Sequence, residues 1–293
     1  MKYTKKDPVV KHYLLILIVF ITSAPCILFS NPSCPEPWQE WTSSGVFVRE
    51  NPTENGEKWI VIHDRGHHQE YLYPGFKDWW GEVDLAFLDM PATMRMPKPM
   101  GYAYEDLREY EYYKALPEVF GDAQWKEANW IVHGMAAYDV LELYKDSTEL
   151  FNKLVLVSPP SLQGEKEFLL SHLEDMQVLA LWNELDTYNY EKNDQYKTLA
   201  TALFYKPYNF SKVRGWAGFK PGLFDFLLHE MPKEWDYTDD VGDDVTLIKP
   251  EVSPFPNSEV PETSQTFTVE EAGHYIWLEN PAKWQEILEK LVE

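Results

Sequence analysis

Cysteine is nearly absent from this sequence: Cys26 and Cys34 are the two, too few for a disulfide framework or a CxxC-type metal site. Basic residues are scarce as well. Lys and Arg number 26 against 48 Asp and Glu, a formal net charge of −22, and such a field repels phosphate backbones, so nucleic acid is not an expected partner. The chain has no glycine-rich phosphate loop, no HExxH pair and no internal repeat, which leaves the nucleotide-binding, zinc-protease and solenoid classes without support. What is plentiful is core material: 44% of residues are apolar and 15% aromatic, enough to exclude disorder as the main state. The 293 residues suit one large α/β domain carrying an insertion better than two independent domains.

Charge is also missing from one particular stretch, between Lys11 and Glu36. Lys2, Lys5, Lys6 and Lys11 precede the apolar run Leu14 to Ile21, and the small residues Ser23 and Ala24 follow. Residues 1–33 therefore read as a signal peptide or, if uncleaved, as an amino-terminal membrane anchor with the lysines on the cytoplasmic side. On either reading the domain over residues 34–293 is secreted, periplasmic or anchored on the non-cytoplasmic side. This segment is its expected link to a membrane.

From about residue 45 short β-rich runs alternate with helical stretches, the pattern of an α/β protein with a mostly parallel sheet and helices on both faces. Expected strands are Gly45 to Arg49, Trp59 to His63, Val83 to Asp89, Asn129 to His133, Leu154 to Val157, Val178 to Leu181 and Thr266 to Val269. The turn-rich Asn51 to Gly56 reads as a hairpin connection between the first two. Helices are expected over Tyr104 to Phe120, Met135 to Tyr144, Glu165 to Leu173 and Pro281 to Val292, the last with Pro281 in its first turn. Between about residues 188 and 263 the rhythm fails. Seven of the 21 prolines fall within 207–261, so a long irregular insertion before the last strand is expected there.

Four short motifs stand at strand ends. His63-Asp64-Arg65-Gly66 follows one strand and Val132-His133-Gly134-Met135-Ala136-Ala137 another, Trp182-Asn183-Glu184-Leu185-Asp186 follows a third, and Glu271-Ala272-Gly273-His274-Tyr275 follows the last. In order and context they resemble the α/β-hydrolase fold superfamily, over roughly residues 45–186 and 264–293. The resemblance implies an oxyanion loop at His63 to Gly66, a nucleophile elbow at Val132 to Ala137, an acid loop ending at Asp186 and a catalytic histidine at His274. Asp64 and Met135 then stand at the backbone oxyanion-hole positions. The family's pattern is broken where the nucleophile belongs, because Gly134 takes the place of the serine, and Asp64 replaces the glycine of the His-Gly loop. Glycine also relaxes the strained backbone of such an elbow.

The resemblance leaves Asp186 and His274 as a residual dyad, able to activate water or a substrate directly, or else a hydrogen-bonded pair retained by packing. Two functions follow: a binding or interaction protein that has lost serine hydrolase activity, with a small apolar ligand or a protein as partner, or an enzyme acting on a small apolar or ester-like substrate through His274 and Asp186. Ser158, Ser161 and Ser171 are candidates for a substitute nucleophile, although strand-end serines are usually caps. His63, His67 and His68 have no recognised metal spacing. The run Asp236, Asp239, Asp240, Asp243 and Asp244 departs from the EF-hand pattern and reads as a solvated acidic loop. No metal or cofactor is expected. Asn209-Phe210-Ser211 is a glycosylation sequon, and Trp216 to Phe226 supplies aromatic faces suited to packing or to covering an apolar pocket.

Overall fold

The structure is a computed structural model that describes residues 39–43, 46–53, 56–65, 67–89, 116–117, 125–165, 234–238, 241, 244–253 and 265–292. The chain divides into two units, Met1–Glu36 and Pro37–Glu293; the first, with its lysine-flanked apolar run, lies outside the described residues. Among those residues no helix is long and apolar enough to cross a membrane.

Among its described residues the second unit forms an eight-stranded sheet. Its strands are β1 (Gln39–Ser43), β2 (Val46–Asn51), β3 (Lys58–Ile62), β4 (Asp84–Asp89), β5 (Ala128–His133), β6 (Phe151–Val157), β9 (Val245–Pro250) and β10 (Gln265–Val269), in the spatial order β1-β2-β4-β3-β5-β6-β9-β10. Two further strands, β7 (Gln163–Glu165) and β8 (Glu234–Asp236), form a separate antiparallel pair. The first two pairings of the large sheet are antiparallel and the rest parallel. Sequence explains the division. The Trp-Ile-Val-Ile of β3 and all of β5 are buried, as strands covered on both faces require, whereas β2 begins with the alternating burial of a half-covered strand.

Two expectations need correction. The turn-rich segment after β2 does not close a hairpin, because β4 lies between β2 and β3 and pairs with both. It is β1 that pairs with β2 in antiparallel fashion on its other side, a strand the sequence hides because its Gln-Glu-Trp-Thr-Ser is largely polar. Second, Val245–Pro250 falls inside the stretch read as irregular, yet it pairs with β6 and β10 as a full member of the sheet. Its Val-Thr-Leu-Ile run is short and is hemmed by Asp243, Asp244 and Pro250, which gave the segment a loop-like composition. Tyr104 to Phe120 lies outside the described residues apart from the helical Leu116 and Pro117, and so do Val178 to Leu181 and most of Glu165 to Leu173.

The described helices are α1 (Tyr73–Phe76), α2 (Ala136–Asp146), α3 (Ile276–Glu279) and α4 (Pro281–Val292). Helix α4 buries Trp284, Ile287, Leu288 and Leu291, the stripe its spacing predicts. Trp284 Nε1 donates to the Gly75 carbonyl at 2.7 Å. A Cβ on Gly75 would stand 2.9 Å from Trp277 Cβ, so glycine lets α1 close onto α3 and α4. That contact fixes α3, and with it the preceding His274, beneath the ends of β3 and β5.

Candidate functional site

Three turns converge at the carboxyl ends of the parallel strands. Strand β3 delivers His63 and Asp64, β5 runs through His133 into Gly134 and Met135 before α2 starts, and the chain after β10 brings His274 in ahead of α3. Gly134 has φ +62°, the left-handed conformation that favours glycine, and its N–H donates to the Val157 carbonyl at 2.9 Å. Strand, sharp turn and helix thus follow one another around Gly134.

Its centre is filled by the side chain of Asp64. Oδ1 accepts the Met135 N–H at 2.6 Å and the Arg65 N–H at 2.7 Å, and Oδ2 lies 2.8 Å from His274 Nε2. Both Asp64 and His274 are 0% exposed. Burial alone would raise the Asp64 pKa. The hydrogen bond from His274, with the electrostatic attraction of that ring, outweighs it and holds the carboxyl well below its usual range. The carboxylate also lies at the start of α2, where the helix dipole favours an anion.

The backbone N–H of Asp64 is committed elsewhere, donating to Tyr71 Oη at 2.9 Å. Tyr71 Oη therefore acts as acceptor there, and its own hydrogen goes to His133 Nδ1 at 2.6 Å. This fixes the tautomer of His133: Nε2 carries the proton and donates to the His274 carbonyl at 2.9 Å. Burial, reinforced by the His274 charge, pushes the His133 pKa well below its ordinary value, as suits a neutral ring using both nitrogens. Burial also raises the Tyr71 phenol, and the Asp64 charge adds to it. Asp64, His133 and His274 have ligand atoms within 4.8 Å of one another, a donor set that could hold a metal ion. Here the three are hydrogen-bonded within the network, with both His133 nitrogens engaged.

Arg65 anchors the loop. Its guanidinium forms a two-pronged bond to Asp139 of α2, Nε to Oδ2 at 2.9 Å and Nη2 to Oδ1 at 2.6 Å. The side chains are 15% and 14% exposed, and this clasp ties the Asp64 turn to the helix that follows Met135.

The remaining candidates separate. Ser158 is buried with φ +47°, and its hydroxyl donates to the His274 carbonyl at 2.9 Å, so it steadies the histidine turn from the end of β6. Ser161 Oγ donates to the Gln163 carbonyl. Ser171 lies outside the described residues. His63 Nδ1 donates to the Asp64 carbonyl at 2.7 Å, with Nε2 3.8 Å from Asp89 Oδ1. His67 is buried, stacks on Tyr275, bonds the Tyr275 hydroxyl at 3.0 Å and has its pKa pushed down by burial to about 3. Of the acidic run, Asp236 accepts from Thr238 and Gln163, and Asp244 accepts from the Tyr144 hydroxyl at 2.5 Å; Asp239, Asp240 and Asp243 lie outside the described residues.

Asp186 also lies outside them. The strand seated beside β6 is β9, and the chain leaving it is Glu251-Val252-Ser253; Val178 to Leu181, the strand expected ahead of the Asp186 loop, lies outside the described residues. Asn209 and Trp216 to Phe226 fall outside the described residues too. Sequence reasoning missed Tyr71, which no motif marks, and assigned Asp64 for its N–H rather than its carboxylate. The signal for the latter was legible in principle, since a carboxylate entered the His-Gly loop and a side chain left the elbow.

Comparison of this architecture with solved structures returns hydrolases. An N-acyl homoserine lactonase complexed with N-hexanoyl homoserine superposes with a TM-score of 0.63 at 15% identity, covering 87% of this chain and 96% of that one. A proline iminopeptidase-related protein from Thermus thermophilus gives 0.60 at 15%, covering 88% and 97%. A thermophilic esterase from Thermogutta terrifontis gives 0.60 at 13%, covering 87% and 98%. No protein-family model matches the sequence, and no curated protein matches it. The chain has the α/β-hydrolase fold.

Proposed function

We propose that this α/β-hydrolase-fold chain has lost serine hydrolase activity and works by binding a small apolar ligand or a protein partner, exported or membrane-anchored through residues 1–33. One observation carries the reading: a single carboxylate, that of Asp64, takes up the three things a serine mechanism needs at this place. It fills the space over Gly134 where a nucleophile's side chain would project, with its Cγ 2.3 Å from an ideal Cβ. It holds the Met135 N–H at 2.6 Å, the donor that would stabilise a tetrahedral oxyanion. And it engages His274 Nε2 at 2.8 Å. An ionised carboxylate only accepts hydrogen bonds, so Nε2 must be the donor and has no lone pair to offer as a general base. The Asp64 N–H is spent on Tyr71.

The competing reading, an enzyme acting on an ester-like substrate through His274 and Asp186, draws support from the lactonase and esterase among the fold's neighbours. Hydrolysis of short p-nitrophenyl esters by the whole protein and by His274→Ala separates the two. The binding reading expects equal, buffer-like rates for both proteins. Turnover lost in His274→Ala would favour the enzyme.

A further inference from the structure

The atoms around Asp64 have the form of a receptor. Two backbone N–H groups, from Arg65 and Met135, converge on one oxygen at 2.7 and 2.6 Å, and an imidazole N–H meets the other at 2.8 Å. All three donors are presented by different turns, after β3, after β5 and before α3, and each is positioned by contacts that do not involve the carboxylate. Arg65 is clamped to Asp139, the Gly134 N–H ahead of Met135 is tied to Val157, and the His274 carbonyl receives both His133 and Ser158. A cradle held open by its own scaffold recognises a carboxylate whichever molecule carries it.

We propose that this cradle is a carboxylate-binding site which the chain occupies with its own Asp64, and that it takes a small free monocarboxylate once that side chain is cut back. The size of the ligand follows from the atoms removed. Asp64→Ala keeps Cβ and deletes one carboxylate, leaving room for formate. Asp64→Gly deletes the carboxymethyl group, leaving room for acetate. The proposal shares Asp64 with the binding reading above but is tested by a different quantity, so ester turnover could overturn that reading while leaving this one standing.

The test is thermal unfolding of wild type, Asp64→Ala and Asp64→Gly in sodium formate, sodium acetate or sodium propionate against sodium chloride of equal ionic strength. Formate is expected to raise the melting temperature of Asp64→Ala saturably, by roughly 5 °C at about a hundred times its half-saturating concentration. Acetate should do the same for Asp64→Gly, and propionate should act like chloride on both. The wild type, its cradle filled, should show no shift beyond chloride. If the variants do not fold in chloride, recovery of native protein on refolding with the matched carboxylate supports the site, and failure to recover in any carboxylate overturns it. Equal effects of chloride and formate on a folded Asp64→Ala, or a wild type that responds as strongly as the variants, also overturn it.

Discussion

An ideal Cβ placed on Gly134 would stand 2.3 Å from Cγ of Asp64 and 2.5 Å from each of its carboxylate oxygens. The two residues therefore exclude each other's alternatives. A side chain at 134 needs Asp64 gone, and Asp64 in this position needs a glycine at 134, which the φ of +62° also favours.

That exclusion sets the energetics of substitution. Gly134→Ala adds backbone strain of about 1–3 kcal/mol to an overlap costing about as much again. Asp64→Gly strips a buried, paired carboxylate, at a cost of about 3–5 kcal/mol. Once Asp64 is removed, the overlap half of the Gly134→Ala penalty vanishes. The double variant should be more stable than the sum of the single losses predicts, by about 1–3 kcal/mol in urea unfolding. Additivity within about 0.5 kcal/mol would mean that the carboxylate does not sit over Gly134.

Acid should weaken the fold in a defined window. His67 has its folded pKa lowered to about 3 from an ordinary 6.5, and His133 and His63 are shifted in the same direction by burial. The unfolded chain therefore takes up protons that the folded one refuses. Their contribution is complete above the unfolded value near 6.5 and is lost as pH falls towards the folded values, with a slope of up to about 1.4 kcal/mol per pH unit for each ring. The depressed Asp64 carboxyl adds a further loss below its ordinary range. Urea midpoints between about pH 7.5 and about pH 5 should fall, and His67→Gln should flatten that slope. An identical slope in the variant would contradict the neutral buried ring.

The fold was legible in the sequence wherever burial follows from pattern. Strands β3, β5 and β6 carry the apolar runs Trp59 to Ile62, Trp130 to Val132 and Leu154 to Val157, and α4 is an amphipathic stripe behind Pro281, so local composition reports their surroundings. Strand β9 was missed because its few apolar residues stand between Asp244 and Pro250, and it is the pairing with β6 and β10 that makes it a strand. At the site, motif order located Asp64, Gly134, Met135 and His274 but not the direction in which the Asp64 side chain turns. That direction is decided by Arg65 reaching Asp139, 74 positions away, and by Tyr71 capturing the Asp64 N–H. Neither contact has a sequence signature.

The Arg65 clasp gives a prediction of its own. Arg65→Ala loses two charge-assisted hydrogen bonds to Asp139 in a mostly covered position, which should cost about 2 kcal/mol. Arg65→Lys should recover less than half of that, because a point charge cannot match the two-pronged geometry. A lysine that restores full stability would reduce the clasp to simple charge pairing.

For the amino terminus the expected outcome is that protein recovered from its native host is either cut between about Ala24 and Cys34 or sediments with membranes. Mass spectrometry of the mature terminus, paired with fractionation, reads this out. Full-length protein free in the cytosol would contradict the export reading.

The most direct test of the central claim is labelling of the whole protein with a fluorophosphonate, which reacts with serines activated by a histidine base. With Asp64 over Gly134 and His274 Nε2 donating to it, and with the Ser158 hydroxyl turned to the His274 carbonyl, the predicted result is no labelling above that of heat-denatured protein. Stoichiometric labelling mapped to Ser158 or any other serine, and abolished by His274→Ala, would contradict it.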